Sequence, residues 1–159
     1  MKLIQSTGPY ILFGWSLGGL LAFEIGRQLI EMGHGVSKII IVDSPFCYKD
    51  VVEKVAANRE LLIQPIDYEY NQHLSYHGED LTLIYFKANK IPSLAMLQKM
   101  FPAENINDAY KIFKHYKKTK ANYIDKITRI KNLRIISLEG DHYSWIQEKD
   151  LIIKVINEI

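Results

Sequence analysis

The sequence predicts an α/β domain with a mostly parallel sheet and helices on its faces. Three observations carry that expectation. Short β-branched runs alternate with longer stretches of helical periodicity. The first of those runs breaks abruptly into a serine flanked by glycines. Ser16, Asp43 and His142 each stand at or just past the end of a predicted strand.

Taken in order, Tyr10 to Gly14 reads as a buried strand and Leu17 to Met32 as a helix, with apolar bulk from Leu20, Leu21, Phe23, Ile25, Leu29 and Ile30. Gly18, Ala22 and Gly26 recur every four residues, a small-residue stripe that lets the helix lie close to the sheet. Gly33 and Gly35 end it. Lys38 to Val42 contains Ile39, Ile40, Ile41 and Val42. The run is too short for a helix and β-branched throughout, so it reads as a strand buried on both faces. These pieces make a βαβ unit. Two further strands are expected at Leu81 to Phe86 and Leu133 to Leu138. A closing helix follows, with Leu151, Ile152, Val155, Ile156 and Ile159 on one face. Residues 45–80 and 89–131 are too long to be simple connections, so each is expected to carry helices and to serve as a lid over a site, 45–80 foremost.

Composition bounds the answer without choosing it. A chain of 159 residues makes one domain, 1–159, long enough to bury about 70% of the surface its unfolded form exposes. With 48% apolar and 24% charged residues and a formal net charge of +2, nothing in the overall balance points to nucleic acid. A single cysteine, Cys47, excludes an internal disulfide framework and fits a reducing cytoplasm. No signal-peptide pattern and no apolar run of about 20 residues is present, so no membrane partner is expected.

The stretch Phe-Gly-Trp-Ser-Leu-Gly-Gly, from Phe13 to Gly19, has the form of a nucleophile elbow. A serine hydroxyl is a poor nucleophile without a base beside it, and a sharp strand-to-helix turn lifts it clear of the sheet for base and substrate. The flanking glycines suit a turn too crowded for side chains. Asp43 directly ends the second strand, and His142 follows the last one in Glu-Gly-Asp-His-Tyr. Ligands of open parallel sheets bind beyond the carboxyl ends of the strands, which is where all three fall. The chain order Ser, Asp, His is that of α/β-hydrolases. In that arrangement Ser16 attacks a carbonyl, His142 relays its proton, Asp43 orients the imidazole, and the backbone N–H of Leu17 faces the developing oxyanion.

Gly8 to Ile25, together with Val42-Asp43-Ser44 and Gly140-Asp141-His142, resembles the thioesterase domains of nonribosomal peptide synthetases. The resemblance implies an α/β-hydrolase-type, mostly parallel sheet with flanking helices and a helical lid. It also implies an N-terminally truncated form, because the family carries strand–helix units before the elbow and draws a second oxyanion donor from a loop there. The implied activity is transfer of an acyl or peptidyl chain from a carrier protein's phosphopantetheine thioester onto serine, then release by water or an internal nucleophile. No metal or soluble cofactor is implied, and the partner is an acyl or peptidyl carrier protein. Trp15 in the elbow resembles thioesterases fused to the end of an assembly line, where discrete editing enzymes more often have histidine.

Competing roles stand beside each candidate. Ser16 and His142 also suit turns, and Asp43 suits a strand-end cap. Trp15, Phe46 and Trp145 are candidates to line an acyl pocket, and large aromatics near a site serve equally often as core. His73 and His77 have helical spacing for zinc but no third ligand in recognisable register, and Cys47 lacks a paired histidine motif. Lys111, Lys114, Lys117, Lys118 and Lys120, with His115, make a basic stretch around Phe113 and Tyr116; it suits an acidic carrier, or simply a solvated helix face. Two alternatives to the thioesterase remain open at this point. One is a carboxylic-ester hydrolase; the other is a silent fragment that self-associates through an exposed sheet edge and at most binds a carrier.

Overall fold

A computed structural model describes residues 6–44, 80–100, 103, 106–111, 113, 114, 117 and 131–158. Within them four parallel strands form one sheet in the order β1-β2-β3-β4: β1 Tyr10–Trp15, β2 Val36–Val42, β3 Thr82–Ala88 and β4 Asn132–Leu138. Each strand falls where the apolar runs predict it. The lid expected at 45–80 lies outside the described residues except for its last position, as do Phe46, Cys47, His73 and His77.

The two faces of the sheet bury separate clusters. Helix α1, Leu17–Glu31, packs Ala22 and Phe23 over Tyr10, Leu12, Ile39, Ile41, Leu83 and Tyr85. The closing helix, Lys149–Asn157, sets Ile152 over Ile40, Val42, Ile84, Phe86 and Leu138 on the other face. The alternation of residues 39 to 42 between those clusters is the period-two geometry of a strand buried on both sides. Each such side chain removed from water contributes about 1.5–3 kcal/mol before entropy is counted.

Three details of the expected packing differ. The close approach of α1 to the sheet uses Gly19, Ala22 and Gly26, all buried, and not Gly18. A Cβ on Gly19 would lie 1.8 Å from the Ser44 hydroxyl oxygen and 2.7 Å from Ile41, whereas one on Gly18 would meet nothing within 4 Å. Leu21 and Ile25 point outward from α1 and are exposed, as is Leu151 on the closing helix, because an apolar residue one position off the buried stripe rotates by about 100° to solvent. Ile11 and Phe13 on β1 are exposed as well.

Helix α1 stops at a Schellman motif. Gly33 has φ +78°, its N–H donates to Ile30 O at 2.9 Å, and the His34 N–H donates to Leu29 O at 2.8 Å. In the 89–131 segment, Leu94–Met100 is helical with Leu97 fully buried, and residues 106–111 are helical with Ala109 buried. No helix among the described residues is long and apolar enough to cross a membrane.

Candidate active site

The carboxyl ends of the strands are bonded to one another before any side chain is considered. The Ser16 N–H donates to Val42 O at 3.0 Å, the Asp43 N–H to Phe86 O at 2.8 Å, and the Asn89 N–H to Leu138 O at 2.9 Å. Turns that begin from strands locked in this way hold their side chains in register. Ser16 takes φ 53° and ψ −128°, a conformation that L residues rarely adopt and that marks the strained strand-to-helix elbow. Its tightness is visible at Gly14, where a Cβ would sit 2.0 Å from the Gly18 carbonyl oxygen.

Asp43, at φ 47°, turns its carboxylate under the sheet's end, where it is 1% exposed. One oxygen, Oδ1, accepts the Ala88 N–H at 2.8 Å, and the other, Oδ2, faces Nδ1 of His142 at 2.9 Å. Tyr85, fully buried, donates its hydroxyl to the Ser44 carbonyl at 3.1 Å and fixes the residue after the aspartate. Across the ring, Nε2 of His142 lies 3.0 Å from the Ser16 hydroxyl oxygen. With the carboxylate on Nδ1, the proton belongs on that nitrogen, so Nε2 is left to accept from the serine. Residues 16, 43 and 142 are thus joined in one hydrogen-bonded chain.

The loop that carries His142 is held by its own polar groups. The Glu148 carboxylate accepts the N–H groups of Glu139 at 3.0 Å and Gly140 at 2.7 Å. Asp141 Oδ1 accepts those of Tyr143 and Ser144, both at 2.9 Å, and the Asp141 N–H donates to Ser144 Oγ at 2.7 Å. Three aromatic rings surround the imidazole: Tyr143 at 5.0 Å edge-on, Trp15 at 5.2 Å and Phe113 at 5.3 Å between centroids. Burial, and then the charge of Asp141, raise the Tyr143 phenol above its ordinary value, so that ring is neutral at physiological pH.

Trp15 spends its indole N–H on the His142 carbonyl, at 2.9 Å. Trp145 opens the short 3-10 helix Trp145–Glu148 and packs against the core under the closing helix, 6.0 Å from the rings of Phe13 and Trp15. Leu17 is the first residue of α1, where backbone N–H groups lack intrahelical partners. Phe113, Tyr143 and Glu148 were not singled out as site residues by the sequence. Phe113 carried one usable signal, the i, i+4 spacing to Ala109 that puts both on the inward side of the helical segment. Among the described residues no three His, Cys, Asp or Glu side chains gather as a metal site.

Comparison with known proteins decides the family, because the thioesterase domain family matches residues 1–159. This chain is a thioesterase domain. Among curated relatives, N-(5-amino-5-carboxypentanoyl)-L-cysteinyl-D-valine synthase of Amycolatopsis lactamdurans is 26% identical over 156 residues, covering 96% of this chain and 4% of that protein. A non-reducing polyketide synthase of Cladonia grayi, PKS16, is 56% identical over 45 residues, 28% of this chain and 2% of its own length. The chain therefore spans a small share of the relatives it matches. Among solved structures, a four-domain nonribosomal peptide synthetase bound to AMP and glycine superposes over 99% of this chain and 15% of its own, with a TM-score of 0.54 at 18% identity. That likeness supports the fold alone, a parallel sheet with flanking helices.

Proposed function

We propose that this thioesterase domain works as a serine hydrolase, taking an acyl or peptidyl chain from a carrier protein's phosphopantetheine thioester and releasing it by hydrolysis or cyclisation. The observation that carries the reading is the pair of contacts on one imidazole: Ser16 Oγ at 3.0 Å on Nε2 and Asp43 Oδ2 at 2.9 Å on Nδ1. In the first half-reaction His142 takes the hydroxyl proton as Ser16 attacks the thioester carbonyl. The oxyanion draws on the Leu17 N–H, and the imidazolium returns its proton to the departing thiolate. In the second, His142 deprotonates water or a nucleophile within the acyl chain, which displaces Ser16, and the imidazolium returns the proton to the serine oxygen. Asp43 holds the imidazole and balances its charge throughout.

No cofactor of the protein's own enters this chemistry; the phosphopantetheine arm arrives with the substrate. A carrier-protein partner is supported by the family. It is supported too by exposed Lys111, Lys114 and Lys117, which ride on the same segment that brings Phe113 against His142. Phe46 and Trp145 stay in the proposal as candidate walls for the acyl group.

The test compares hydrolysis of an acyl-pantetheine thioester with that of the matching oxygen ester. Preference for the thioester in kcat/KM supports the reading. Preference for the oxygen ester transfers it to a carboxylic-ester hydrolase, and turnover of neither by folded protein leaves a silent carrier-binding domain.

A further inference from the structure

We propose that Trp15 is a positioning residue for the general base: its indole N–H and ring hold His142 so that Nε2 stays on the Ser16 hydroxyl. This rests on the serine-hydrolase reading above and adds a residue to it.

The bonds that shape the histidine loop run mostly within the loop or to its C-terminal side. Glu148 gathers the N–H groups of residues 139 and 140, Asp141 gathers those of 143 and 144, and the Gly140 carbonyl accepts the Lys90 N–H at 3.0 Å. They fix the loop's shape and tie it to β3's end. They do not tie it to the nucleophile's strand. Among the described residues, the backbone of His142 itself is joined to that strand by the Trp15 N–H, across 127 positions of sequence. Trp15 is the last residue of β1 and the immediate neighbour of Ser16. The tether therefore runs from the residue beside the nucleophile to the residue that bears the base.

The side chain suits the task. Indole places a single N–H at the far end of a large rigid body with only two rotatable bonds. That body lies against the imidazole at 5.2 Å, tilted by 35°, while Tyr143 and Phe113 limit the ring from other directions. Without the tether the carbonyl loses a partner and the loop gains freedom relative to the elbow. A misplacement of about 1 Å in such a site costs up to ~10²-fold in rate.

The experiment measures kcat and KM for an acyl-pantetheine thioester in wild type, Trp15→Phe and Phe13→Leu. Each enzyme is normalised to active sites titrated with a fluorophosphonate. Phe13 lies on the same strand and sets its ring against Trp145, so it controls for loss of aromatic bulk. The expected result is a kcat lower by roughly 10-fold in Trp15→Phe, KM unchanged, and a control like wild type. An isosteric substitution guards against misfolding: β-(3-benzothienyl)alanine, inserted at position 15 alone by nonsense suppression, keeps the shape while removing the N–H, and the same loss in kcat is expected.

Unchanged kcat per titrated site, or an equal drop in Phe13→Leu, would overturn the proposal. So would a raised KM with kcat preserved, which would make Trp15 a substrate contact. If wild type takes no fluorophosphonate at all, the serine-hydrolase reading fails and this proposal with it; a labelled wild type with an unaffected variant defeats this proposal alone.

Discussion

Ser16 and Asp43 both sit at positive φ, 53° and 47°, and each is anchored by a backbone bond to the neighbouring strand's end. Strain of this kind persists only where the surroundings over-determine it, and here the two strained residues are the proposed nucleophile and the imidazole's hydrogen-bond partner. The three site residues were legible because chemistry restricts which types can fill these positions, and the strand ends restrict where. The glycines were less so. A Gly-x-Ser-x-Gly pattern counts Gly14 and Gly18, yet Gly19 is the residue pressed against Ser44 and Ile41. No spacing rule reveals a neighbour brought in from β2. Gly18→Ala, with open space at its Cβ, is expected to stabilise the fold by about 0.4–1 kcal/mol through a less flexible unfolded chain. Gly19→Ala should lower stability by about 1–3 kcal/mol through overpacking, with urea denaturation of the two variants checking the opposite signs.

At the scale of elements, β2 follows from a β-branched run too short for a helix, and α1 from its helical periodicity. The end of α1 follows as well, since Gly33 supplies the positive φ that its Schellman bonds require. Space around Gly33 is open, so Gly33→Ala should cost about 1 kcal/mol from backbone conformation alone, read as a lower midpoint in thermal melting. The helical segment beyond β3 was legible as helix but not as part of the site. Amphipathicity tells which side turns inward, and it does not say that Phe113 will face a histidine 29 positions later. Trp15 has the same history: its sequence neighbours mark it as part of the elbow, and only the folded chain shows where its N–H goes.

For the whole molecule, the sheet brings residues 16, 43 and 142 together at one end because four parallel strands terminate there side by side, and β1, β2 and β4 lead into the three residues. Among the described residues β1 is an edge strand, and Ile11 and Phe13 leave apolar surface beside it. Sequence did not foretell that exposure, because an apolar strand reads alike whether one face or both are covered. None of this disturbs the catalytic end, where Asp43 and His142 are buried and bonded. The central claim is that the His142–Asp43 pair activates Ser16 in this chain. Its most direct test is the rate at which a fluorophosphonate adds covalently to the protein, followed by intact mass with the site mapped by peptide sequencing. One adduct on Ser16 is expected, absent in Ser16→Ala and slower by about 10³-fold or more in His142→Ala. Folded wild type that forms no adduct, or labels no faster than His142→Ala, would contradict it.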